Sequence, residues 1–279
     1  MMCSLDGVMA TFDYESKLWG AHEVKPCPTF LGGLRLRYCL EDLRDVRGKV
    51  LEIGCGAGAM TRAIKTYRPD LDVYGCDVSR RAIQTAQRDP GGVTFEVGNA
   101  YDLPFLNHSF SAVVTFDLLE HLEEPRLAVD EAWRLLEPGG LFHQFIPCEG
   151  GLFTLHGLLS AMGWRAKEHY GGHIQRYTLS KLADLLKTSG FEIGKYRWSG
   201  HLLNQAVDVA YFSGLSILGR NVPTSVEGYL GTAPRGFFPT TLGIMKNAIA
   251  IASYYESRLF ARIPGSGVHL LCLKKRDGC

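Results

Sequence analysis

The clearest chemistry in the chain is carried by three glycines at alternate positions, flanked by two acids. Val50 to Thr61 reads V-L-E-I-G-C-G-A-G-A-M-T, and Asp77 follows in G-C-D. Gly54, Gly56 and Gly58 allow a tight turn and a close approach of backbone to ligand. Asp77 can accept hydrogen bonds from two ribose hydroxyls. Glu52, two residues before the first glycine, would repel a pyrophosphate and would suit a cation such as an amino-acid ammonium. The spacing is G-x-G-x-G, not the G-x-G-x-x-G that seats a pyrophosphate on a helix N-terminus. Together these residues describe a ligand with a ribose and an amino acid but no phosphate.

A second concentration of reactive side chains runs from Pro147 to Tyr177 and includes His156, Trp164, His169, Tyr170, His173 and Tyr177. His169 and His173 stand four apart, a spacing that can hold a metal on one helix face. Gly171-Gly172 interrupts that helix and no H-E-x-x-H pattern is present, so no metal is expected.

The elements that must position these groups follow from periodicity. Val50 to Ile53 reads as a buried strand, Ala59 to Tyr67 as a helix stopped by Pro69, and Leu71 to Tyr74 as the next strand. Ser79 caps a helix to about Arg88, and Val93 to Val97 and Phe110 to Phe116 are strands three and four. Pro125 opens a helix that Pro138-Gly139-Gly140 closes before a fifth strand, Leu141 to Ile146. Thr178 caps another helix, Gly190 ends it, and Phe191 to Trp198 is the sixth strand. Strands alternating with helices predict an open α/β sheet with helices on both faces.

E-I-G-C-G-A-G followed by G-C-D-V-S resembles motif I and the following acid of the class I methyltransferases that use S-adenosyl-L-methionine (SAM), of the small-molecule, UbiE/UbiG-like type. L-P-F at Leu103, E-H at Glu120, L-x-P-G-G at Leu136 and G-H-I-Q-R-Y-T at Gly172 extend the resemblance across about residues 47–199. It implies a Rossmann-like, seven-stranded, mostly parallel sheet, with Val268 to Leu273 as an antiparallel seventh strand. It also implies a cofactor site of Glu52, Gly54, Cys55, Gly56, Gly58, Asp77, Val78, Asn99, Ala100, Phe116 and Leu118. The family usually carries an acid where Asn99 stands. The implied reaction moves a methyl group from SAM to an O, N or C atom of a small acceptor and leaves S-adenosyl-L-homocysteine. His173 and then His121 are the candidate bases; His143, within the fifth strand, reads more readily as a core residue. Tyr14, Trp19, His173 and Tyr177 are candidates for lining the acceptor pocket. Two alternatives stay open: a SAM-binding or protein-binding module without turnover, and, opposed by the turn spacing and Glu52, an NAD-type oxidoreductase.

The departure from a minimal domain comes after the sixth strand, where 201–262 separates it from the seventh. The expected organisation is an N-terminal cap segment (1–46), a SAM-binding core (47–200), a helical insert capping the substrate (201–265), and the final strand with a tail (266–279). The weakly charged insert suggests an apolar or amphipathic acceptor. It leaves open peripheral membrane contact or a dimer interface. A net charge of +1 argues against nucleic acid. Eight scattered cysteines without C-x-x-C, and an N-terminus without a basic, apolar leader, point to a reducing, cytoplasmic-type compartment.

Overall fold

A computed structural model describes residues 18–30, 32–151, 154–218 and 237–275. Tyr14 and the middle of the insert lie outside them. In chain order the elements are α1 (Gly33–Asp42), β1 (Lys49–Ile53), α2 (Ala59–Tyr67), β2 (Asp72–Asp77), α3 (Arg80–Arg88), β3 (Thr94–Val97) and β4 (Phe110–Phe116). A 3-10 turn (Leu119–His121) leads to α4 (Pro125–Leu135), β5 (Leu136–Pro147), α5 (Leu155–Ala161), α6 (Ala166–Gly171), α7 (Leu179–Thr188) and β6 (Phe191–Ser199). The last elements are α8 (Leu202–Leu218), α9 (Phe237–Leu259) and β7 (Gly267–Lys274).

The seven strands form one sheet in the order β3-β2-β1-β4-β5-β7-β6. β1 to β5 pair in parallel, and β7 runs antiparallel between β5 and β6. The apolar run of β1 is explained by its place: it pairs with β2 and β4, and both of its faces are covered. On one face Leu51, Ile53, Val113 and Phe142 pack against Val129 of α4 and Leu182 and Leu186 of α7. On the other, Val50, Val73 and Val114 pack against Leu36 of α1, Ile64 of α2 and Ile83 of α3. The order reverses between β1 and β4, which places the ligand crevice at their carboxyl ends.

The helix caps fall where the sequence puts them. Ser79 Oγ accepts from Ala82 N at 3.1 Å, and Thr178 Oγ1 from Lys181 N at 3.3 Å. Pro138-Gly139-Gly140 differs from expectation. It does not separate α4 from the fifth strand but lies within β5, which begins at Leu136. Pairing jumps from Phe110 opposite Leu136 to Ala112 opposite Leu141, so the extra residues bulge from the ladder.

α1 is fastened to the sheet by buried ionic groups. Asp42 Oδ2 accepts from His143 Nδ1 at 2.8 Å, and Asp42 Oδ1 pairs with Arg197 of β6 at 2.6 Å. His143 is fully buried there, as the strand reading anticipated. The insert supplies α8 and α9. Leu155 N at the start of α5 donates to Gln205 Oε1 of α8 at 2.6 Å, and Trp164 Nε1 donates to Ser213 Oγ at 3.2 Å. α9 packs Tyr254 against Leu34 and Tyr38 of α1. No described helix is long and apolar enough to cross a membrane.

Candidate active site

The glycine turn joins β1 to α2 and is left-handed at each glycine. At Gly56 (φ 53°) a Cβ would stand 2.7 Å from the carbonyl oxygen of Trp19, and at Gly58 (φ 83°) 2.4 Å from the Phe95 ring. Only glycine fits either position. The N-terminal segment lies over this turn: Ala57 N donates to Trp19 O at 2.8 Å, and Ala59 N to Gly20 O at 3.0 Å. The Trp19 side chain is half exposed.

Asp77 ends β2 beside the turn. Its Oδ2 accepts from Gly56 N at 2.8 Å and its Oδ1 from Ser79 N at 2.9 Å. Val78 next to it is exposed. Glu52 is buried, and its Oε2 accepts from the Thr61 hydroxyl at 2.6 Å. Burial pushes the Glu52 carboxyl up to about 8, Thr61 opposes the shift and nearby Asp77 adds to it. Asn99 turns its Oδ1 onto its own loop, accepting from Tyr101 N at 3.1 Å, with half-buried Ala100 adjacent. Cys55 and Phe116 are buried, and a Leu118 methyl sits 2.9 Å from where a Gly54 Cβ would be. The chemistry of these residues fits an adenosyl amino acid: a tight glycine turn beside an acid at the end of the second strand, and a buried carboxyl in the first strand just before the turn.

The second half of the site follows β4. Asp117 takes a left-handed conformation (φ 48°) and pairs with Arg35 of α1, whose guanidinium lies 4.0 Å from the Phe145 ring centroid. Glu120 is fully buried and neither carboxyl oxygen has a hydrogen-bond partner. Burial, reinforced by Asp117, pushes its pKa well above the ordinary value. The Glu120 carbonyl accepts from Ile174 N (2.9 Å) and Gln175 N (3.0 Å), and His121 Nδ1 donates to Gly172 O at 2.9 Å. The E-H turn therefore ties down the loop that carries His173. The two imidazoles meet edge to face at 5.0 Å. Burial, with His173 next, holds His121 down to about 4, a weak base.

His173 lies outside α6, which ends at Gly171 with Gly172 left-handed, so the interrupted helix is as the sequence predicts. His173 Nδ1 is 3.4 Å from Glu149 Oε2. Glu149 follows the end of β5 and also pairs with Lys167 of α6, which reaches Asp208 of α8 at 2.9 Å. Burial disfavours the Glu149 carboxylate, yet Lys167 and then His173 hold its pKa well below the ordinary range. His156 is also buried here, its Nε2 3.7 Å from Asp208. A small cavity of ≈ 20 Å³, room for about one water, opens beside these groups, lined by Glu149, His156, Trp164, Lys167, His173 and Arg176 among others. It is ionic and hydrogen-bonding, not apolar.

Tyr177, expected at the pocket wall, is instead buried in the core, and its hydroxyl donates to Leu119 O at 3.3 Å. It supports the E-H turn from behind. Glu149, Lys167 and Asp208 are the site residues that sequence reasoning missed. An acid directly after the fifth strand was the available signal for Glu149; Lys167 and Asp208 meet only through packing of α6 on α8. Two triples, Glu120, His121, His173 and Glu149, His156, Asp208, each bring potential ligand atoms within 4.8 Å of one another. In the second the Lys167 ammonium already serves both carboxylates. In the first, burial disfavours the charged form of Glu120.

Residues 51–143 match the family model described as a methyltransferase domain. An O-methyltransferase of Aspergillus nomiae is 36% identical over 106 residues, 36% of this chain and 47% of the relative. A ubiquinone biosynthesis O-methyltransferase of Alkalilimnicola ehrlichii is 31% identical over 145 residues, 48% of this chain and 57% of the relative. The chain spans about half the length of the curated relatives it matches. Among solved structures, a Haemonchus contortus phosphoethanolamine N-methyltransferase 2 in complex with SAM superposes with a TM-score of 0.54 at 16% identity, covering 88% of this chain and 53% of that one. At that identity the likeness is one of fold.

Proposed function

We propose that the chain is a class I SAM-dependent methyltransferase that methylates an oxygen of a small amphipathic acceptor whose polar end lies beside His173; the match to a methyltransferase domain and the strand order support this reading, with SAM as the cofactor. SAM supplies an electrophilic methyl group on a sulfonium, so the protein's tasks are placement, exclusion of water and removal of the acceptor proton. Glu52, the glycine turn and Asp77 hold the cofactor's amino-acid and ribose parts; Asn99, Ala100, Phe116 and Leu118 border its adenosyl half. Val78 flanks the ribose acid.

The observation that carries the reading is the His173–Glu149 pair beyond β5. A buried carboxylate facing Nδ1 orients the ring, and Nε2 is left to take a proton from a hydroxyl. His121 acts by position, holding the His173 loop through Gly172. The ion pairs of Glu149, Lys167 and Asp208 make this end of the site polar, which favours a polar end of the acceptor beside His173. α8 of the insert forms the cap, since it walls α5 and α6 through Gln205, Asp208 and Ser213. The unpaired cysteines among the described residues fit a reducing, cytoplasmic-type compartment.

The test is calorimetry followed by transfer. The purified chain should bind S-adenosyl-L-homocysteine and not NAD, and should pass labelled methyl from SAM to hydroxylated acceptors in a His173-dependent way. Absence of homocysteine-product binding would remove the cofactor assignment. Tight binding with no labelled product across broad acceptor pools would favour a binding module.

A further inference from the structure

α9 is turned inside out. At 100° per residue, Ile244, Met245, Ala248, Ile251, Ala252, Tyr255 and Leu259 fall on one arc of the helix, and every one of them is exposed. Exposure reaches 65% at Ile244, 60% at Tyr255 and 78% at Leu259. The opposite arc, which faces the protein, holds Ala250, Ser253, Tyr254 and Ser257, all buried. A helix packed for its own domain would carry the reverse pattern. From Ile244 to Leu259 the face is about 22 Å long.

Charge decides what fits it. Two charged residues flank the arc, exposed Arg258 next to Ile251 and half-buried Glu256 next to Met245, and exposed Arg262 follows the helix. The acids of the two insert helices are turned away: Glu256 accepts from Leu203 N at the start of α8, and Asp208 is held by Lys167. A second copy paired antiparallel about Ile251 would set each Arg258 against the Ile244 end of the other helix, with no anion to meet it. A bilayer surface containing anionic lipid accepts the aliphatic residues, Tyr255 at headgroup level, and both guanidiniums.

We propose that the Ile244–Leu259 face of α9 is a membrane-docking surface that lies in the plane of an anionic lipid interface. This assignment stands apart from methyl transfer.

The test is sedimentation of the full chain with vesicles of phosphatidylcholine, with and without phosphatidylglycerol, in the absence of SAM. The chain should sediment, more strongly with phosphatidylglycerol. Ile251→Asp with Tyr255→Asp should weaken binding about tenfold or more, with circular dichroism and S-adenosyl-L-homocysteine binding unchanged. Arg258→Glu should remove the preference for phosphatidylglycerol. Tyr255→Trp, which keeps the face apolar, should gain fluorescence quenching by brominated lipid. No sedimentation overturns the proposal, as does sedimentation untouched by the aspartates. A dimer in light scattering that the same aspartates dissociate, without vesicle binding, assigns the face to a second copy and equally overturns it.

Discussion

Oε2 of Glu149 lies 3.4 Å from Nδ1 of His173, and the Lys167 ammonium holds the far side of the same carboxylate. The carboxylate is thereby kept ionised in a buried place, where it favours one ring orientation and one tautomer of the histidine. Two variants separate this from a purely structural role. His173→Ala should lower kcat by about 10² to 10⁴ on a hydroxylated acceptor, with S-adenosyl-L-homocysteine affinity within twofold of wild type. Glu149→Gln should lower kcat less and shift the pH profile, because the ring keeps a hydrogen-bond partner but loses the charge. An unchanged rate in His173→Ala would leave the acceptor proton to another group.

Glu52 predicts a proton linkage in cofactor binding. In the free protein its carboxyl is pushed up to about 8, so it is protonated at neutral pH. An ammonium placed beside it favours the ionised form, and binding must then expel the proton. Affinity should therefore rise with pH from about 6 to about 8, by up to tenfold per unit, and level off above. Calorimetry at pH 7 in buffers of different ionisation enthalpy should register release of close to one proton per ligand. Glu52→Gln should abolish both the release and the slope. A wild-type affinity flat across that range would take Glu52 out of the ammonium subsite.

The residues proposed to hold the cofactor were more legible in the sequence than those proposed beside the acceptor, for a physical reason. Glu52, the glycines and Asp77 lie on one β1–α2–β2 unit, so their relation is fixed by local geometry that periodicity exposes. Glu149, Lys167, Asp208 and His173 come from a strand end, two helices and a loop. Nothing local ties Asp208 of α8 to Lys167 of α6; they meet because the insert folds back over α5 and α6. Tyr177 shows the complementary error. Its place beside a reactive motif suggested a pocket wall, but its apolar ring was better used in the core, with the hydroxyl on Leu119 O. Pro138-Gly139-Gly140 was legible as a break in regular structure but not as a bulge within β5, since the pairing of Phe110 with Leu136 that starts the strand early is nonlocal.

Asp77 is held by Gly56 N and Ser79 N, two backbone donors that keep the carboxylate aimed along the turn. Asp77→Ala should weaken S-adenosyl-L-homocysteine binding about 10- to 100-fold, the loss of charge-assisted bonds to ribose. Asp77→Asn should fall between, since an amide oxygen can accept but lacks the charge. The readout is the dissociation constant, with thermal unfolding as a control for the turn. Affinity that survives Asp77→Ala would refute its ribose role.

The tie between α1 and the sheet should be visible as acid sensitivity. The Asp42 pKa is lowered because His143 and Arg197 outweigh its burial, while burial holds His143 and His269 below the ordinary histidine value. The signs separate the windows. A lowered histidine costs stability as pH falls through about 6.5, because the unfolded chain takes the proton first. A lowered aspartate contributes stability above its unfolded value near 3.8, lost as pH falls further through the folded value. Asp42→Asn leaves Arg197 and His143 buried with a weaker partner and should cost about 3 kcal/mol at pH 7. It should also remove the step below about pH 4 while the decline that begins near 6.5 persists. Urea unfolding of wild type and variant at pH values from 3 to 8 reads both. If the two curves run parallel to the lowest pH, Asp42 is not the group that fastens α1 in acid.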